Sequence, residues 1–425
     1  MGRNKELLER AQKVIPGGVN SPVRAFKAVG GEPPFIVRGE GCRVWDAEEK
    51  EYIDYIASWG PLILGHAHPA IVDEVQRVLA NGSSYGAPTE REITFAELLA
   101  ERIPSIEMSR VVSSGTEATA AAIRLARGFT KRDKIVKLAG CYHGCVESLL
   151  VQAGSGIATF AIPGSPGITK GTAGDTLVVP FNDEEAVTET FQKHGKDIAC
   201  IILEPVAGNM GVIPPKDGYL QALRKLCDKE GSLLIFDEVM TGFRVHHSSA
   251  QALYNVTPDI TCLGKVIGGG FPVGAYGARK EIMDHIAPVG PVYQAGTLSG
   301  NPIAVAAGMV TLNRLDQDTF SQIEMRAKRL EREMAEAAKA ASVPVTINRV
   351  GTMMTLFFTE GPVQNYADAQ KADSDRFARY FSAMLKRGVH LAPSAFEAAF
   401  VGLAHEDYDI ELTIEAHKAA LKELK

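Results

Sequence analysis

The sequence has few of the features that mark nucleic-acid-binding, membrane-spanning or secreted proteins. Its 425 residues carry a net charge of -6 and contain no long basic run, so we do not expect a nucleic-acid partner. No apolar stretch reaches the roughly 18 residues that a spanning helix requires, so we expect no membrane partner. The first residues lack the apolar core of a signal peptide and the Ser/Arg-rich character of a transit peptide. We therefore expect a cytoplasmic protein, and a composition with 23% charged residues is typical of a globular enzyme.

Cysteine is also scarce, and the 6 cysteines are scattered along the chain. Several lie in apolar runs, which favours small buried residues in a reducing compartment. The stretch 141–145 (Cys-Tyr-His-Gly-Cys) groups potential metal ligands, but no second cluster follows it, so we expect no metal site. Four other histidines lack ligand-spaced partners and are interpreted as structural or solvated: His66, His68, His246 and His247.

Apolar runs alternate with helical patterns through the centre of the chain. The runs are continuous rather than alternating in polarity, as expected for strands buried on both faces. They lie at 110–113, 134–138, 176–179, 199–203 and 233–236. This order predicts an α/β fold with a mostly parallel mixed sheet flanked by helices. In such sheets, ligands bind at the carboxyl ends of the strands.

The same patterns suggest how the chain is divided. We predict an N-terminal segment at 1–63, a large domain at 64–310 and a smaller α+β domain at 311–425. A long helical region is predicted from 302 through about 341, and a helix from about 367 to 387. The insert 145–175 is rich in glycine and is interpreted as a lid or a mobile loop.

One lysine stands between an apolar run and a segment dense in glycine. Gly264 precedes Lys265, and five glycines follow it before residue 278. Glycine allows close backbone approach, so a flat ligand fits against such a chain. A lysine in a partly dry pocket loses proton affinity and becomes the nucleophilic amine of Schiff-base chemistry. The alternative is an ordinary surface lysine on a glycine-rich turn.

Two further segments place polar groups at strand ends. Asp237 ends the apolar run 233–236, where a carboxylate suits a metal, a cationic ring nitrogen or a structural ion pair. Ser114-Gly115-Thr116 follows a strand and begins an alanine-rich helix, which predicts either a phosphate site at the helix N-terminus or a plain N-cap. Both segments lie where a cofactor site is expected.

Other single residues carry weaker signals. Tyr142 follows the run 134–138 and is suited to stacking on a flat ring. Asn209 lies in the polar stretch that follows the run 199–203, and Thr297 lies in a glycine-rich turn before a helix. Arg24, in a loop, is interpreted either as a solvated arginine or as a fork for a carboxylate.

Taken together, these segments resemble the class III, fold type I, pyridoxal-phosphate aminotransferases. Nearly the whole chain takes part, and the closer match within the class is to its aminomutase branch. The strings that carry the resemblance are Asn-Ser-Pro-Val-Arg-Ala-Phe-Lys at 20–27, Gly-His-Ala-His-Pro at 65–69, Asp-Glu-Val-Met-Thr-Gly-Phe-Arg at 237–244, Gly264 to Gly277, Tyr-Gln-Ala-Gly-Thr-Leu-Ser-Gly-Asn-Pro at 293–302 and Ala-Pro-Ser-Ala-Phe-Glu-Ala at 392–398. Cys145 and Ser113 depart from the family pattern, which has His and Asn there.

The resemblance implies a role for each candidate residue. Lys265 forms the Schiff base with pyridoxal 5'-phosphate and then moves protons, and Asp237 pairs with the ring nitrogen. Residues expected to contact the cofactor or the substrate are Ser114, Gly115 and Thr116 at the phosphate, Tyr142 and Val239 on the two ring faces, Thr297 from the second subunit, Arg24 at the substrate carboxylate, Asn209 and Glu397 near the reacting end, and Ser155 in the lid.

The resemblance also implies a reaction. Pyridoxamine 5'-phosphate donates its amine to the aldehyde carbon of (S)-4-amino-5-oxopentanoate, and withdrawal of the other amine yields 5-aminolevulinate for tetrapyrrole synthesis. It further implies a homodimer with shared active sites, a small domain built from both chain ends, and an upstream aldehyde-forming reductase as a possible channelling partner. The alternative is a class III ω-aminotransferase with two separate substrates. A nucleotide-binding protein is disfavoured, because the sequence contains no Gly-x-Gly-x-x-Gly after the first strand and no phosphate loop.

Overall fold

A computed structural model describes residues 2–151 and 164–424 of the chain. The strands lie in three sheets. Their bounds are Ile36–Glu40 (β1), Arg43–Asp46 (β2), Glu51–Asp54 (β3), Met108–Val112 (β4), Lys134–Leu138 (β5), Thr176–Val179 (β6), Ile198–Leu203 (β7), Leu233–Asp237 (β8), Ile260–Gly264 (β9), Gly274–Ala278 (β10), Thr346–Val350 (β11), Met353–Phe357 (β12), Val389–His390 (β13) and Ala399–Phe400 (β14).

Helices fill most of the intervals between the strands. The α-helices are Arg3–Gln12, Pro69–Leu79, Glu90–Arg102, Gly115–Thr130, Lys170–Gly174, Glu184–His194, Tyr219–Glu230, Ala250–Tyr254, Lys280–Met283, Pro302–Arg314, Gln317–Ala341, Tyr366–Ala369, Ser374–Lys386 and Asp407–Glu423. Short 3-10 helices include Pro22–Ala25, Ala57–Trp59, Glu147–Leu149 and Lys265–Gly268. Within the described residues, no helix combines the length and the apolar character that a membrane span needs.

The largest sheet has seven strands in the order β4-β10-β9-β8-β7-β5-β6. Its neighbours are parallel except at β10, which runs antiparallel to both β9 and β4. Every residue of β7, β8, β9 and β10 is buried, which explains why the apolar runs in these strands are continuous. The predicted mostly parallel mixed sheet is confirmed.

The helix Gly115–Thr130 packs on β9 and β10 and covers one part of this sheet. Its buried residues include Ile123 and Leu125, which join Ile235 and Cys262 in one apolar cluster. Full burial of each such large aliphatic side chain contributes about 1.5–3 kcal/mol relative to exposure. The helix N-terminus is thereby held against the carboxyl ends of the central strands.

Two smaller sheets contain the strands from the chain ends. β1, β2 and β3 form a meander, and β13 adds to β3 in parallel, so residues near the N-terminus and near residue 390 share one sheet. The other sheet has the order β11-β12-β14. The long helix Gln317–Ala341 packs on Asp407–Glu423 beside these strands.

The predicted helical region 302–341 consists of two helices, and the predicted single helix at 367–387 is corrected to a short helix followed by a longer one. At the first break, Asp316 accepts a hydrogen bond from the backbone N–H of Thr319 (2.8 Å) and starts a new helix. At the second, Asp373 does the same for Arg376 (2.8 Å). Each aspartate satisfies a free N–H at a helix start, an N-cap that the apolar periodicity does not reveal.

One minor expectation changes, because Cys145 is exposed, whereas the other five cysteines are buried. For His66 the structural interpretation holds, because its Nε2 lies 2.7 Å from an oxygen of the buried Asp54. This pair holds the turn after β3 against the segment that leads to the helix Pro69–Leu79.

Candidate active site

Lys265 stands directly after β9, at the carboxyl end of a buried strand. Its backbone has a φ of 50°, a left-handed conformation that costs a non-glycine residue about 1–2 kcal/mol. Gly60 borders its side chain, and Gly264, the residue before it, packs closely against Val239. A Cβ on Gly60 would lie 3.5 Å from Lys265 Cδ, and a Cβ on Gly264 would lie 3.1 Å from Val239. The strand and the tight packing therefore fix where the amine points.

The environment of Lys265 changes its acidity. Burial lowers the pKa of the amine, because an ammonium loses hydration in the protein interior. Glu204, Glu397 and Asp237 act in the opposite direction, and the Arg244 guanidinium lowers the pKa further. The net shift is downward, so a larger fraction of the amine is unprotonated at neutral pH than for a solvated lysine.

Asp237 ends β8, the strand beside β9, and is buried. One carboxylate oxygen accepts from the backbone N–H of Val239 (3.0 Å), and the other lies 2.7 Å from Nδ1 of His143. Since the carboxylate accepts, the histidine donates through Nδ1. His143 Nε2 is buried and has no hydrogen-bond partner among the described residues. An acid positioned in this way suits the cationic nitrogen of an aromatic ring.

The N-terminus of the helix Gly115–Thr130 forms a cradle for an anion. Ser114 is its N-cap and accepts from the backbone N–H of Glu117 (3.1 Å). The backbone approaches too closely for side chains: a Cβ on Gly144 would come within 2.4 Å of Thr116 Oγ1, and one on Gly115 within 2.8 Å of Val239. Free N–H groups, the Thr116 hydroxyl and the helix dipole together suit a phosphate.

Glu204 organises the remaining side of the site from the end of β7. Its carboxylate accepts from the backbone N–H groups of Tyr142 and Gly208 (2.8 Å each) and from the side-chain amide of Asn209 (2.9 Å). Burial raises the pKa of this carboxyl group. By these bonds it positions Tyr142 and Asn209, two residues that the sequence singled out for other reasons.

These groups line one cavity of about 410 Å³. Its walls include Ser114, Gly115, Thr116, Tyr142, His143, Glu204, Asn209, Asp237, Val239 and Lys265. The residue set fits a phosphorylated pyridine aldehyde: an anion cradle, a carboxylate for the ring nitrogen, and an amine that condenses with an aldehyde. The sequence assigns no specific role to His143 or Glu204. The available signal is their position after strands of the large sheet: Glu204 directly follows β7, and His143 lies five residues after the end of β5.

Three predicted residues line other cavities. Arg24 lines a second cavity of about 360 Å³ with Trp59, His66 and His390. Thr297 lines a third, also of about 360 Å³, on an exposed surface beside Tyr85. Glu397 lines a small apolar cavity of about 50 Å³, yet its charge still acts on Lys265. Ser155 lies outside the described residues, as does the part of the predicted lid at 152–163.

A family model, sequence relatives and solved structures all point to the same protein family. The model of the family "Aminotransferase class-III" matches residues 26–415. A relative from Brevibacillus brevis, "Glutamate-1-semialdehyde 2,1-aminomutase 2", is 56% identical over 425 residues, which cover 99% of each chain. The chain is similar to an omega-transaminase from Sphaerobacter thermophilus with a TM-score of 0.92 and 32% identity, covering 100% of this chain and 98% of that one. A glutamate-1-semialdehyde-aminomutase from Pseudomonas aeruginosa, solved as a variant in complex with PMP, matches with a TM-score of 0.88 and 26% identity, covering 100% and 95%.

Proposed function

This chain belongs to the class-III aminotransferase family, and we propose that it converts (S)-4-amino-5-oxopentanoate, or glutamate-1-semialdehyde, to 5-aminolevulinate. One amine moves within a single substrate, so no separate donor is consumed. The observation that carries the proposal is the meeting of Lys265, Asp237 and the helix N-terminus at Ser114 in one cavity. The relatives at 54–56% identity over nearly the full chain bear the name of this reaction, which favours it over other activities of the family.

Different residues of the cofactor site are proposed to bind different parts of the cofactor. When bound, pyridoxal 5'-phosphate or pyridoxamine 5'-phosphate supplies an electron sink that acidifies the carbon–hydrogen bond next to a bound amine. Asp237 would hold the ring nitrogen in its protonated state, and Ser114, Gly115 and Thr116 would hold the phosphate. Tyr142, Val239 and Asn209 line the same cavity and would contact the ring.

Lys265 is the residue that moves the proton. Because its amine is unprotonated in a larger fraction than usual, it takes a proton from one carbon and returns it to a neighbouring carbon. Glu397 acts on the charge of that amine and is proposed to lie near the reacting end of the substrate. The same amine serves both halves of the exchange, which need the same proton shift in opposite directions.

The substrate carboxylate is proposed to bind Arg24. Its guanidinium lies in the cavity that also contains Trp59, and Pro61, two residues further along, lines the cofactor cavity. A planar guanidinium pairs with a carboxylate through two parallel hydrogen bonds. Ser155 and the rest of 145–175 are proposed to close over the bound substrate and retain the diamine that forms when the cofactor's amine has been added and the substrate's own amine has not yet left. The division into 1–63, 64–310 and 311–425 remains part of this proposal.

A homodimer is proposed to complete the phosphate site through Thr297. The segment around it is apolar and exposed: Val289 is 73%, Tyr293 71% and Leu298 53% exposed. Such neighbouring apolar side chains favour a protein–protein interface. The reactive aldehyde substrate also favours an upstream reductase that delivers it directly, in the cytoplasm.

The deciding experiment supplies glutamate-1-semialdehyde alone to the cofactor-loaded protein. We expect 5-aminolevulinate without any added amino donor or keto acid. The similarity to the Sphaerobacter enzyme is the reason to test the ω-aminotransferase alternative. An ω-aminotransferase requires a second substrate for sustained turnover. Borohydride reduction followed by peptide mass spectrometry tests the cofactor assignment separately, and we expect the adduct on Lys265.

Lys137 provides a matched control for the trapping experiment. It is also buried, and burial lowers its pKa to about 8. Its amine donates to the carbonyl of Leu149 (2.9 Å) and does not line the cavity. Burial and a depressed pKa are therefore common to both lysines, whereas the cradle and Asp237 accompany only Lys265. An adduct on Lys137 instead of Lys265 would contradict the assignment.

A further inference from the structure

Arg244 is a fully buried arginine that hydrogen-bonds to backbone carbonyls rather than to an acid. Nε and Nη2 donate to the carbonyl of Gly60 (2.8 and 2.6 Å), and Nη1 donates to the carbonyl of Val401 (2.8 Å). Its guanidinium carbon lies 5.2 Å from the centre of the Phe400 ring. These contacts join the turn before Pro61 to the strand region near residue 400.

The charge of Arg244 has no carboxylate counterpart among the described residues. No ion pair to it occurs in that part of the chain, and Thr352 supplies its other side-chain contact (3.4 Å). Burial lowers its pKa to about 9, which still leaves the guanidinium cationic at neutral pH. Backbone carbonyls satisfy its donors, so the guanidinium is held in the interior by hydrogen bonds that in turn fix the backbone around it.

Gly60 connects this arginine to the reactive amine. The residue has a φ of 110°, and a Cβ there would lie 3.4 Å from the Phe400 ring and 3.5 Å from Lys265 Cδ. The backbone that accepts two hydrogen bonds from Arg244 therefore borders the Lys265 side chain. Pro61, the next residue, lines the cofactor cavity.

We propose that Arg244 is a positioning residue for Lys265. Its hydrogen bonds hold the Gly60–Pro61 wall against the lysine side chain, and its uncompensated charge disfavours a second cation on the neighbouring amine. The inference rests on the proposed role of Lys265 as the reactive amine. It assigns to Arg244 no contact with the cofactor or the substrate.

Among the charged residues around Lys265, Arg244 is the one whose substitution best tests the proposal. Three acids, Glu204, Glu397 and Asp237, favour the ammonium form, and Arg244 is the cation that opposes them. Removal of Arg244 therefore raises the pKa of Lys265, and the amine becomes nucleophilic only at higher pH. Arg244 is the weakest of these influences on the pKa of Lys265, so we expect its removal to shift the midpoint by up to about one pH unit.

The test measures competitive labelling of Lys265 by acetic anhydride as a function of pH, in full-length protein freed of cofactor. Peptide mass spectrometry quantifies the label, with the exposed Lys229 as internal standard. For Arg244→Gln, which removes the charge but keeps amide donors for Gly60, we expect the midpoint to rise by up to about one pH unit. For Arg244→Lys, which keeps a charge, we expect a rise of less than about a third of that.

Arg102 offers a matched control. It is partly buried, donates to the carbonyls of Leu312, His247 and Leu315, and lies 5.4 Å from the centre of the Phe243 ring. It is not among the charges that act on Lys265. We therefore expect Arg102→Gln to lower the melting temperature without moving the labelling midpoint of Lys265.

The variants separate the proposal from a purely structural role. An unchanged midpoint in Arg244→Gln, together with a fall in melting temperature like that of Arg102→Gln, would overturn it. If Arg244→Gln does not fold, the lysine variant decides alone: a midpoint raised by a full unit despite the retained charge contradicts the proposal, and a retained midpoint supports it. Because the labelling needs neither cofactor nor substrate, its outcome is independent of the borohydride trap that tests the proposed function.

Discussion

The two halves of the candidate site are built in different ways. The cofactor half comes from three strands close together in one sheet: Ser114 follows β4, Asp237 ends β8 and Lys265 follows β9. The half assigned to the substrate comes from Arg24 and Glu397, which lie far apart in the chain and line separate cavities. Sheet geometry alone brings the first group together, whereas the second depends on how the chain ends pack.

This difference has a functional consequence. Residues at the carboxyl ends of a buried sheet are held rigidly, as groups that must meet a cofactor in one geometry require. Residues carried by loops near the chain ends can be changed with less effect on the sheet. We therefore expect variants of the cofactor half to alter cofactor chemistry, and variants of the substrate half to alter substrate affinity.

The largest expected effect comes from Lys265→Ala. Without the amine there is neither a covalent attachment point nor a proton carrier, so we expect kcat to fall by about 10⁴-fold or more. The purified protein should lose borohydride trapping while retaining its melting temperature within a few degrees. The matched variant Lys137→Met should keep its trapping and most of its turnover. Substantial turnover in Lys265→Ala would contradict the assignment of Lys265 as the reactive amine of the cofactor half.

Asp237→Asn should have the next largest effect on kcat. The amide keeps the size of the side chain but no longer stabilises a positive ring nitrogen, and it disturbs the hydrogen bond from His143. We expect kcat to fall by about 10²–10³-fold, the usual cost of one preorganised electrostatic group. The measurement is steady-state kinetics alongside the visible spectrum of the bound cofactor. Normal kcat with an altered KM would place Asp237 on the substrate side instead.

Arg24→Gln tests the substrate half. Loss of a charge-assisted pair with a carboxylate costs about 1.5–3 kcal/mol, so we expect KM to rise by roughly 10–100-fold. Cofactor content and borohydride trapping at Lys265 should stay unchanged. The control is Arg38→Gln, since that guanidinium is about half exposed and stacks 3.5 Å from the centre of the Trp45 ring. An equal KM in Arg24→Gln and the unchanged protein would mean that another group binds the carboxylate.

The sequence predicts that the residues of the cofactor half lie together, because its signals are local, and in the structure they line one cavity. Continuous apolar runs fix β8 and β9, and Asp237 and Lys265 follow from where those runs end. The interactions it does not reveal are tertiary. His143 meets Asp237 across 94 positions, and Arg244 meets Val401 across 157. No periodicity records such a pairing, and the burial of an arginine beside carbonyl groups has no signature in composition.

The smallest effects are expected from variants of two helix N-caps. Comparing the two variants distinguishes a loss of helix stability from a loss of cofactor binding. Ser114→Ala and Asp316→Ala each remove a side chain that accepts from a backbone N–H, at 3.1 and 2.8 Å. Each loss should lower the free energy of unfolding by about 1 kcal/mol, measured by urea denaturation of the cofactor-free protein. Only Ser114 lines the cofactor cavity, so only its variant should also weaken cofactor binding. Equal cofactor affinity in the two variants would show that Ser114 is a helix cap alone, and the phosphate would then depend on Gly115, Thr116 and the helix N-terminus.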